Sequence, residues 1–306
     1  MSKIAFIYPG QGAQKAGMGK DFYENSKVAK ALYDDANEKL DFDLLKLCFE
    51  ENEKINDTRY TQPAMVATCL AITRHLMEEN IKPEIAAGLS LGEYAAIAAA
   101  GGMEDLDAVL TVRKRGIFMD EAVPDHEGSM MAVLGMDKET LEQVMELFED
   151  ASVANYNCPG QIVITGKRDA VLEAGEALQK AGAKRTIELN VSGPFHSKYL
   201  KPAGEKLAKE LEQVPWKPLE IPYVTNVNAQ SVEDISKTKD LLTRQIASSV
   251  LWEQSMRNMI DAGVDTFVEI GPGKTLAGFL RKINRDVTVL NVSTLEDVAV
   301  LKEKLC

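Results

Sequence analysis

Short apolar runs alternate with segments of helical periodicity along much of this chain. The run Lys3–Tyr8 is typical of a buried strand and leads into a glycine-rich turn, and an amphipathic pattern follows from about Asp21. Thr61–Asn80 has apolar residues at helical spacing, after which PEIAAGLS predicts a short strand and GEYAAIAAAGG predicts a helix that ends at glycines. Strands that alternate with helices in this way predict a mostly parallel sheet.

The rhythm of the pattern changes between Gly128 and Asn190. Here it predicts strand, helix, strand, strand, helix and strand, which is the β-α-β-β-α-β order of a ferredoxin-like unit. We therefore expect an α/β fold with a small ferredoxin-like subdomain inserted at residues 128–190, and one large domain formed by residues 1–127 and 191–306. Later in the chain the pattern predicts a helix from about Leu241 to Met259, followed by a strand.

Composition indicates an ordinary globular protein. Of the 306 residues, 45% are hydrophobic and 27% are charged, which is enough apolar material for one large core or for a core and a smaller unit. The first apolar run is too short for a signal peptide and ends in a turn. No stretch approaches the roughly 18 apolar residues that a membrane-spanning helix needs. We therefore expect a cytoplasmic protein that makes no contact with a membrane.

Cysteine spacing and net charge exclude several further classes of function. Cys48, Cys69, Cys158 and Cys306 are dispersed, without a CxxC pair or a histidine at ligand spacing, so they are interpreted as free thiols rather than disulfide or zinc ligands. The formal net charge of −12 argues against nucleic acid as a partner. An acidic protein partner would have to dock on a local basic patch.

One serine lies between two glycines, at the point where a predicted strand meets a predicted helix. Gly88, Ser90 and Gly92 match the G-x-S-x-G pattern of a nucleophile elbow. In such an elbow the glycines permit a tight turn, the hydroxyl is exposed, and the next backbone N–H faces a developing oxyanion. The alternative is an ordinary turn in which Ser90 caps the helix. The strand and the helix on either side favour the nucleophile.

A serine nucleophile needs a base, and the chain has three histidines. His75 lies within an apolar-periodic helix, which is typical of a structural histidine. His126 lies in a polar loop before the small unit, where we expect it to be exposed. His196 lies where the chain returns from the small unit to the large one, and domain junctions often hold sites. His196 is therefore the candidate base.

Two glycine-rich loops fail the sequence requirements for nucleotide binding. GQGAQKAGMG has Lys15 where a dinucleotide fingerprint has its third glycine, and EIGPGKTL has Val268 where a P-loop has its first glycine. The loop that follows the first strand can still offer backbone N–H groups to an anion.

Three basic residues follow one another on a predicted helix. At 100° per residue, Arg113 falls within one apolar face, while Arg115 flanks another. Periodicity does not identify which of the two arginines is functional. The alternative for the run Arg113–Arg115 is a solvated charge cluster whose aliphatic stems lie on apolar surface.

With these motifs the chain resembles the malonyl-CoA:acyl carrier protein transacylase family, over essentially its whole length. Several short motifs in one order are more specific than any single motif. The segments that carry the resemblance are PGQGAQ (Pro9–Gln14), TRYTQPA (Thr58–Ala64), GLSLGEY (Gly88–Tyr94), KRGIFMDEAVP (Lys114–Pro124), NYNCPGQIVITG (Asn155–Gly166), VSGPFH (Val191–His196), LLTRQ (Leu241–Gln245) and EIGPGK (Glu269–Lys274). The resemblance implies a hydrolase-like α/β core with an inserted ferredoxin-like subdomain.

Matching positions assign the central roles. The resemblance implies that Ser90 is the nucleophile and that His196 is its base. It implies that the backbone amides of Gln11 and Leu91 form the oxyanion hole. It also implies that Arg115 pairs with the malonyl carboxylate.

Further positions complete the implied site, and one departs from the family pattern. Gln245 matches a glutamine whose backbone carbonyl orients the histidine in place of a carboxylate, and Asn155 is a further candidate for substrate binding. Phe195 resembles the malonyl-selective members, because its bulk would crowd an α-methyl group. The family commonly has histidine before the serine, whereas this chain has Leu89, which we expect to change fine tuning rather than activity.

The implied reaction is a double displacement between malonyl-CoA and the phosphopantetheine thiol of acyl carrier protein, and it needs no metal or redox cofactor. We expect the enzyme to be a monomer. The acidic carrier protein would dock on a basic cluster, either Lys198 and Lys201 or the group Arg281, Lys282 and Arg285.

Three alternatives stay open from the sequence. A serine esterase would share the elbow but would not need a carboxylate-binding arginine. A non-catalytic subunit that binds carrier protein is disfavoured because Ser90 and His196 are both present. A discrete acyltransferase of a polyketide pathway would use the same chemistry with another carrier protein.

Overall fold

A computed structural model describes residues 2–123, 127–191 and 193–305 of the chain. His126, interpreted above as an exposed loop residue, and Cys306, interpreted as a free thiol, lie outside the described residues. Cys48, Cys69 and Cys158 are buried free thiols, as expected.

The strands are short and mostly buried. In the described part of the chain they are β1 (Ile4–Tyr8), β2 (Ile85–Gly88), β3 (Gly128–Leu134), β4 (Ala151–Cys158), β5 (Gln161–Lys167), β6 (Arg185–Glu188), β7 (Tyr223–Val224), β8 (Ser231–Val232), β9 (Thr266–Ile270) and β10 (Thr288–Val292).

Helices connect most of these strands. They are α1 (Lys20–Asn25), α2 (Lys27–Lys39), α3 (Leu44–Phe49), α4 (Thr58–Glu78), α5 (Gly92–Ala99), α6 (Asp105–Glu121), α7 (Lys138–Met145), α8 (Arg168–Lys180), α9 (Lys201–Leu211), α10 (Thr238–Gln245), α11 (Trp252–Asp261), α12 (Thr275–Ile283) and α13 (Leu295–Leu305). None of the helices within these described segments is both long enough and apolar enough to cross a bilayer.

The larger sheet has the strand order β10-β9-β1-β2-β7-β8, and all its pairs are parallel except β7 with β8. This confirms the predicted mostly parallel sheet. Side chains of β1 alternate between two cores, as the period of a strand requires. Phe6 and Tyr8 pack into the core that contains α4 and α5, while Ala5 and Ile7 pack into the core that contains α11 and α12. The sheet therefore lies between two layers of helices.

The smaller sheet is antiparallel, with the order β4-β5-β3-β6. Its elements follow one another as β3, α7, β4, β5, α8 and β6, which confirms the predicted ferredoxin-like order. Apolar residues of α7 and α8, among them Leu141, Val171 and Leu178, pack on this sheet in a core of their own.

The predicted single helix from Leu241 to Met259 is wrong, because the chain leaves the helical path between Gln245 and Trp252. In this break the backbone of Val250 joins the edge strand β4: its N–H donates to Ala154 O (2.8 Å), and its carbonyl accepts from Tyr156 N (2.9 Å). Val250 is fully buried, so the apolar pattern continues through the break. Periodicity alone could not reveal it.

Candidate active site

Polar groups gather at the carboxyl ends of the adjacent parallel strands β9, β1 and β2. Ligands commonly bind at this edge of an open α/β sheet, because the loops that follow neighbouring strands converge there. The backbone N–H of Leu89 donates to Tyr8 O (3.0 Å), which joins the ends of β1 and β2. A cavity of about 240 Å³ opens at this point, and its lining includes Gln11, Ser90, Arg115, Asn155, Phe195 and His196.

Ser90 lies in a strained turn between β2 and α5. Its φ of 52° is in the left-handed region, which residues other than glycine rarely adopt. A Cβ on Gly88 would lie 1.9 Å from the carbonyl carbon of Gly92, and a Cβ on Gly92 would lie 2.3 Å from Tyr8 O. Both glycines are therefore required by close backbone contacts. The Ser90 hydroxyl contacts His196 and Arg115 rather than capping α5.

His196 is held with one ring nitrogen toward the serine. Ser90 Oγ lies 2.7 Å from His196 Nε2, and His196 Nδ1 lies 3.0 Å from both Gln245 O and Ser248 O. Because a carbonyl oxygen only accepts hydrogen bonds, Nδ1 carries the proton and Nε2 is free to accept one from the hydroxyl. The break between α10 and α11 is what turns the Ser248 carbonyl toward this ring.

Burial keeps His196 neutral. Desolvation, and after it the positive charge of Arg115, lowers the pKa of His196 to about 4. The imidazole is therefore a base at neutral pH. His75 is different: it lies in α4, half-buried, with its ring edge-on to Phe22 at 5.3 Å. That contact agrees with a structural histidine.

The two arginines of α6 have different environments. Arg115 is 1% exposed and donates to Ser90 Oγ (3.1 Å), Gln62 Oε1 (2.9 Å) and Gln245 Oε1 (3.2 Å). Arg113 instead donates to both carboxylate oxygens of Asp41 (3.0 and 2.8 Å), away from the serine. The structure therefore brings Arg115 to the candidate site and leaves Arg113 in a structural ion pair.

Burial lowers the pKa of Arg115, although the Tyr94 hydroxyl and the Glu93 carboxylate oppose this effect. An arginine stays protonated even so. A buried cation beside the serine therefore has polar neighbours but no carboxylate partner among the described residues within 4.0 Å. Such a group can bind an incoming carboxylate.

Gln11 and Leu91 both line the cavity. Neither backbone N–H has an acceptor among the residues that the structure describes. The Gln11 side chain donates to Thr58 Oγ1 (2.9 Å), which holds the loop after β1 against α4. Two backbone donors next to a serine are the arrangement that stabilises an oxyanion.

The remaining predicted residues form the walls of the cavity. Asn155 and Phe195 are each 7% exposed, and Leu89 lies beside the serine with α12 behind it. Leu89 therefore supplies an apolar wall where the family commonly has a histidine.

Sequence reasoning missed four residues that contact the predicted ones. Gln62 contacts Arg115, and Ser248 contacts His196 through its carbonyl. Asn226 Oδ1 accepts from Ser90 N (2.6 Å), and the backbone N–H of Glu93 donates to Ser90 O (3.1 Å). Glu93 belongs to the quoted GLSLGEY segment, so a charged residue inside a buried helix was a usable signal. Gln62 likewise belongs to the quoted TRYTQPA segment, whereas Ser248 and Asn226 have no signal in the local pattern.

A strained serine, a neutral imidazole and unpaired backbone donors on an α/β core define an acyl-transferring serine enzyme. The sequence model described as the acyl transferase domain matches residues 5–302. The chain is 46% identical over 310 residues to the malonyl CoA-acyl carrier protein transacylase of Bacillus subtilis, covering 100% of this chain and 98% of that protein.

Solved structures agree with the sequence comparison. The malonyl CoA-acyl carrier protein transacylase of Clostridium perfringens superposes with a TM-score of 0.95 at 42% identity, over 99% of this chain and 97% of that one. A malonyl-transacylase solved with a type II PKS acyl-carrier protein superposes with a TM-score of 0.96 at 34% identity, over 99% of this chain and 100% of that one. The chain belongs to the malonyl CoA-acyl carrier protein transacylase family and is an acyltransferase.

Proposed function

We propose that this enzyme transfers a malonyl group from malonyl-CoA to the phosphopantetheine thiol of an acyl carrier protein, through a malonyl ester of Ser90. The observation that carries the proposal is the 2.7 Å contact between Ser90 Oγ and the neutral Nε2 of His196, with the buried Arg115 cation 3.1 Å from the same oxygen. The base and the carboxylate-binding group therefore both contact the nucleophilic oxygen of Ser90.

In the first half-reaction Ser90 Oγ attacks the thioester carbonyl while His196 Nε2 takes its proton. The oxyanion that forms is stabilised by the backbone N–H groups of Gln11 and Leu91. When the C–S bond breaks, His196 returns the proton to the departing CoA sulfur, which leaves the malonyl ester on Ser90. In the second half-reaction the carrier thiol gives its proton to His196 and attacks the ester, and the proton then returns to Ser90.

Arg115 selects the acyl group in this proposal. Its fork can bind a carboxylate through two parallel hydrogen bonds, which orients the malonyl ester toward the incoming thiol rather than toward water. Gln245 and Gln62 hold the guanidinium in place from the other side. Asn155 and Phe195 narrow the cavity, and the Phe195 ring leaves little room for an α-methyl group.

The test of the proposal is intact-protein mass spectrometry after mixing the enzyme with malonyl-CoA. We expect one malonyl adduct on the Ser90 peptide, and we expect it to disappear when thiol-bearing carrier protein is added. Ser90→Ala should fold normally and form no adduct, because the hydroxyl contributes little to packing. An adduct on the Ser90→Ala protein would show that another residue is the nucleophile.

The partner protein is proposed to dock on the cluster Arg281, Lys282 and Arg285 at the end of α12 and after it. In this cluster Lys282 Nζ donates to Gln161 Oε1 (3.2 Å), and among the described residues it forms no ion pair within 4.0 Å, which leaves its charge uncompensated. In the alternative cluster one of the two lysines, Lys198, already pairs with Asp150 at 3.0 Å. The similarity to a malonyl-transacylase solved with a type II PKS acyl-carrier protein favours including a polyketide carrier protein in a panel of carrier proteins.

We further infer that the enzyme acts as a monomer in the cytoplasm, without nucleic acid. The net charge of −12 argues against nucleic acid, and three buried free thiols agree with a reducing compartment. Light scattering during size-exclusion chromatography tests the monomer: a mass near 33.6 kDa supports it, and a doubled mass contradicts it.

The division into a large domain (residues 1–127 and 191–306) and an inserted subdomain (residues 128–190) is also proposed. All four strands of the antiparallel sheet fall within the inserted range. One face of this sheet packs with α7 and α8 in a core of its own, whereas Met130, Ala132 and Val163 on the other face join the core that contains α4 and α5. The chain leaves that range directly before the cavity-lining residues Val191 and His196.

A further inference from the structure

A buried carboxylate next to the nucleophile has no place in the reaction steps above. Glu93 lies in the first turn of α5 and is fully buried. Its Oε2 accepts two hydrogen bonds, from the backbone N–H of Asn226 (3.0 Å) and from Nε2 of Gln245 (2.8 Å). Burying an acidic side chain costs free energy unless hydrogen bonds compensate for the lost hydration. The role of Glu93 therefore depends on its two hydrogen-bond donors.

Both donors also hold the backbone of Ser90, one on each side. The Asn226 side chain accepts from Ser90 N through Oδ1 (2.6 Å) and donates to Gly88 O through Nδ2 (2.7 Å). The Gln245 side chain donates to Ser90 O through Nε2 (2.8 Å). Glu93 therefore binds Asn226 through its backbone N–H and Gln245 through its side-chain amide, and the side chains of these two residues fix the N–H and the carbonyl of a residue in the left-handed region.

The same carboxylate fixes which way the Gln245 amide points. Nε2 faces Glu93 Oε2 and Ser90 O, which both only accept, and Oε1 faces Arg115, which only donates. The backbone carbonyl of Gln245 accepts from His196. One amide residue thus contacts the nucleophile, the base and the carboxylate-binding arginine, and Glu93 sets its orientation.

We propose that Glu93 is a positioning residue, which acts as a double hydrogen-bond acceptor and holds Asn226 and Gln245 so that Ser90, His196 and Arg115 keep their mutual geometry. The inference rests on the proposed malonyl transfer and extends it to a residue that touches no reacting atom. The essential property is the acceptor oxygen at the Oε2 position rather than the negative charge.

The chain offers substitutions that separate these properties. Glu93→Gln keeps a carbonyl oxygen that can occupy the Oε2 position, and it places its amide at the Oε1 position, where the carboxylate has no hydrogen-bond partner in the described residues. Glu93→Asp keeps the charge but withdraws the oxygens by one C–C bond, about 1.5 Å. Glu93→Leu keeps the volume and removes the acceptor.

The experiment measures kcat and KM for malonyl transfer with the wild-type chain and these three variants. We expect kcat to follow the order Gln, Asp, Leu: Glu93→Gln keeps at least about a third of the wild-type value, and Glu93→Leu falls about 100-fold, since a misplaced reacting group costs that much. KM for malonyl-CoA should change less than about threefold, because ground-state binding is retained. Ile97→Ala, one turn further along α5 and equally buried, is the control for lost packing and should lower Tm with little change in kcat.

A double-mutant cycle adds a readout that packing alone would not move. In a Gln245→Ala background the amide that Glu93 orients is absent, so Glu93→Leu should lower kcat by a clearly smaller factor than it does in the wild type. Fully multiplicative losses would overturn the proposed coupling.

The remaining outcomes are also decisive. A wild-type chain that forms no malonyl adduct contradicts the proposed function itself. If the wild type transfers malonyl, a Glu93→Leu variant with normal kcat overturns the positioning role. A higher kcat for Glu93→Asp than for Glu93→Gln also overturns it, as does a loss of kcat in Ile97→Ala equal to that in Glu93→Leu. Should Glu93→Leu not fold, the order of Gln and Asp alone decides.

Discussion

Arg113 and Arg115 lie two positions apart on one helix, and their surroundings give them opposite roles. Arg113 has its carboxylate partner in Asp41 and lies against the rings of Phe42 and Tyr60. Arg115 has only neutral acceptors within hydrogen-bonding distance, among them the serine hydroxyl. A cation with no carboxylate in direct contact can exchange neutral acceptors for a substrate carboxylate, whereas a paired one cannot without breaking its ion pair.

Arg115→Ala should therefore separate malonyl transfer from general serine chemistry. It leaves the malonyl carboxylate unpaired in a buried site, which costs about 2 to 5 kcal/mol, or a loss of 30-fold to several thousand-fold in kcat/KM. Transfer from acetyl-CoA should fall little or even rise, because acetyl has no charge to pair. Arg115→Lys should recover part of the malonyl activity, since an ammonium cannot form the fork. Steady-state assays with both donors measure the ratio.

Arg113→Ala is the matched control on the same helix. It removes the Asp41 ion pair and the hydrogen bond to Arg59 O (2.7 Å), so it should lower Tm without changing the ratio of malonyl to acetyl transfer. If Arg115→Ala lowers both transfers equally, its role is structural.

The pKa of His196 predicts an unusual pH profile. Because burial and Arg115 lower this pKa to about 4, the imidazole loses its basic form only as the pH falls through that value. We expect kcat/KM for acylation to stay level well below pH 6.5, the ordinary pKa of histidine, and then to fall with a midpoint near 4. Single-turnover acylation across this pH range measures the fall at acidic pH, and a midpoint near 6.5 would contradict the assignment of His196 as the base. With acetyl-CoA as donor, Arg115→Ala should move the midpoint of this acidic fall to higher pH, because the nearby positive charge is gone.

At the scale of elements, the turn from β2 to α5 is defined by backbone contacts. Gly92 approaches Tyr8 so closely that no side chain fits, and this approach sets the angle at which Ser90 projects. The helix that follows carries Glu93 toward Asn226 and Gln245. The elbow is therefore one unit with β1, and a change in either glycine should disturb both stability and catalysis.

Gly92→Ala tests this unit. The added Cβ would lie 2.3 Å from Tyr8 O, a backbone atom that cannot move aside, so we expect a loss of about 1 to 3 kcal/mol in stability and a large fall in kcat. Gly278→Ala within α12 is the control, because a Cβ there meets nothing within 4 Å. It should be neutral or stabilise the protein by up to about 1 kcal/mol. Calorimetry and the transfer assay distinguish the two, and equal Tm values for both variants would contradict the close approach.

Local patterns predicted the elements whose identity depends on neighbours in sequence. The strand before Ser90, the helix after it and the six elements of the ferredoxin-like unit follow from periodicity and glycine positions. The break after Gln245 did not, because it depends on pairing between Val250 and β4, almost 100 positions earlier. Asn226, 136 residues from the serine that it holds, has no local signal for the same reason. Periodicity left Arg113 and Arg115 undecided, and only their tertiary contacts separate them.

At the scale of the whole molecule, the proposed function requires an acidic enzyme to bind a carrier protein that we also expect to be acidic. The net charge of −12 repels such a partner at long range, so docking depends on a local cluster of positive charge. Of the two clusters, Lys198 is paired with Asp150, whereas Arg281, Lys282 and Arg285 line a surface cavity whose lining, among the described residues, includes no acidic side chain.

Charge reversal at each cluster tests this surface with the same change in net charge. Arg281→Glu with Arg285→Glu should raise KM for carrier protein severalfold at low salt and less at high salt, without changing KM for malonyl-CoA. Lys198→Glu with Lys201→Glu is the matched comparison and should have the smaller effect. If the two double variants raise KM for carrier protein equally, general repulsion explains the result. If KM for malonyl-CoA rises as well, the active site itself is disturbed.

The two carbonyl oxygens behind His196 have a consequence for the direction of the reaction. A carboxylate at that position would stabilise the imidazolium, whereas neutral carbonyls stabilise it less, so the proton is held loosely and returned readily. In either direction the acylation of Ser90 releases a thiol, and the deacylation of Ser90 consumes one, with Ser90 Oγ as the departing group that takes the proton back from His196. The chemistry is therefore nearly symmetrical between the two thioesters. Such a catalyst equilibrates two acyl pools, and the flux through it is set by whichever later reaction consumes the acylated carrier.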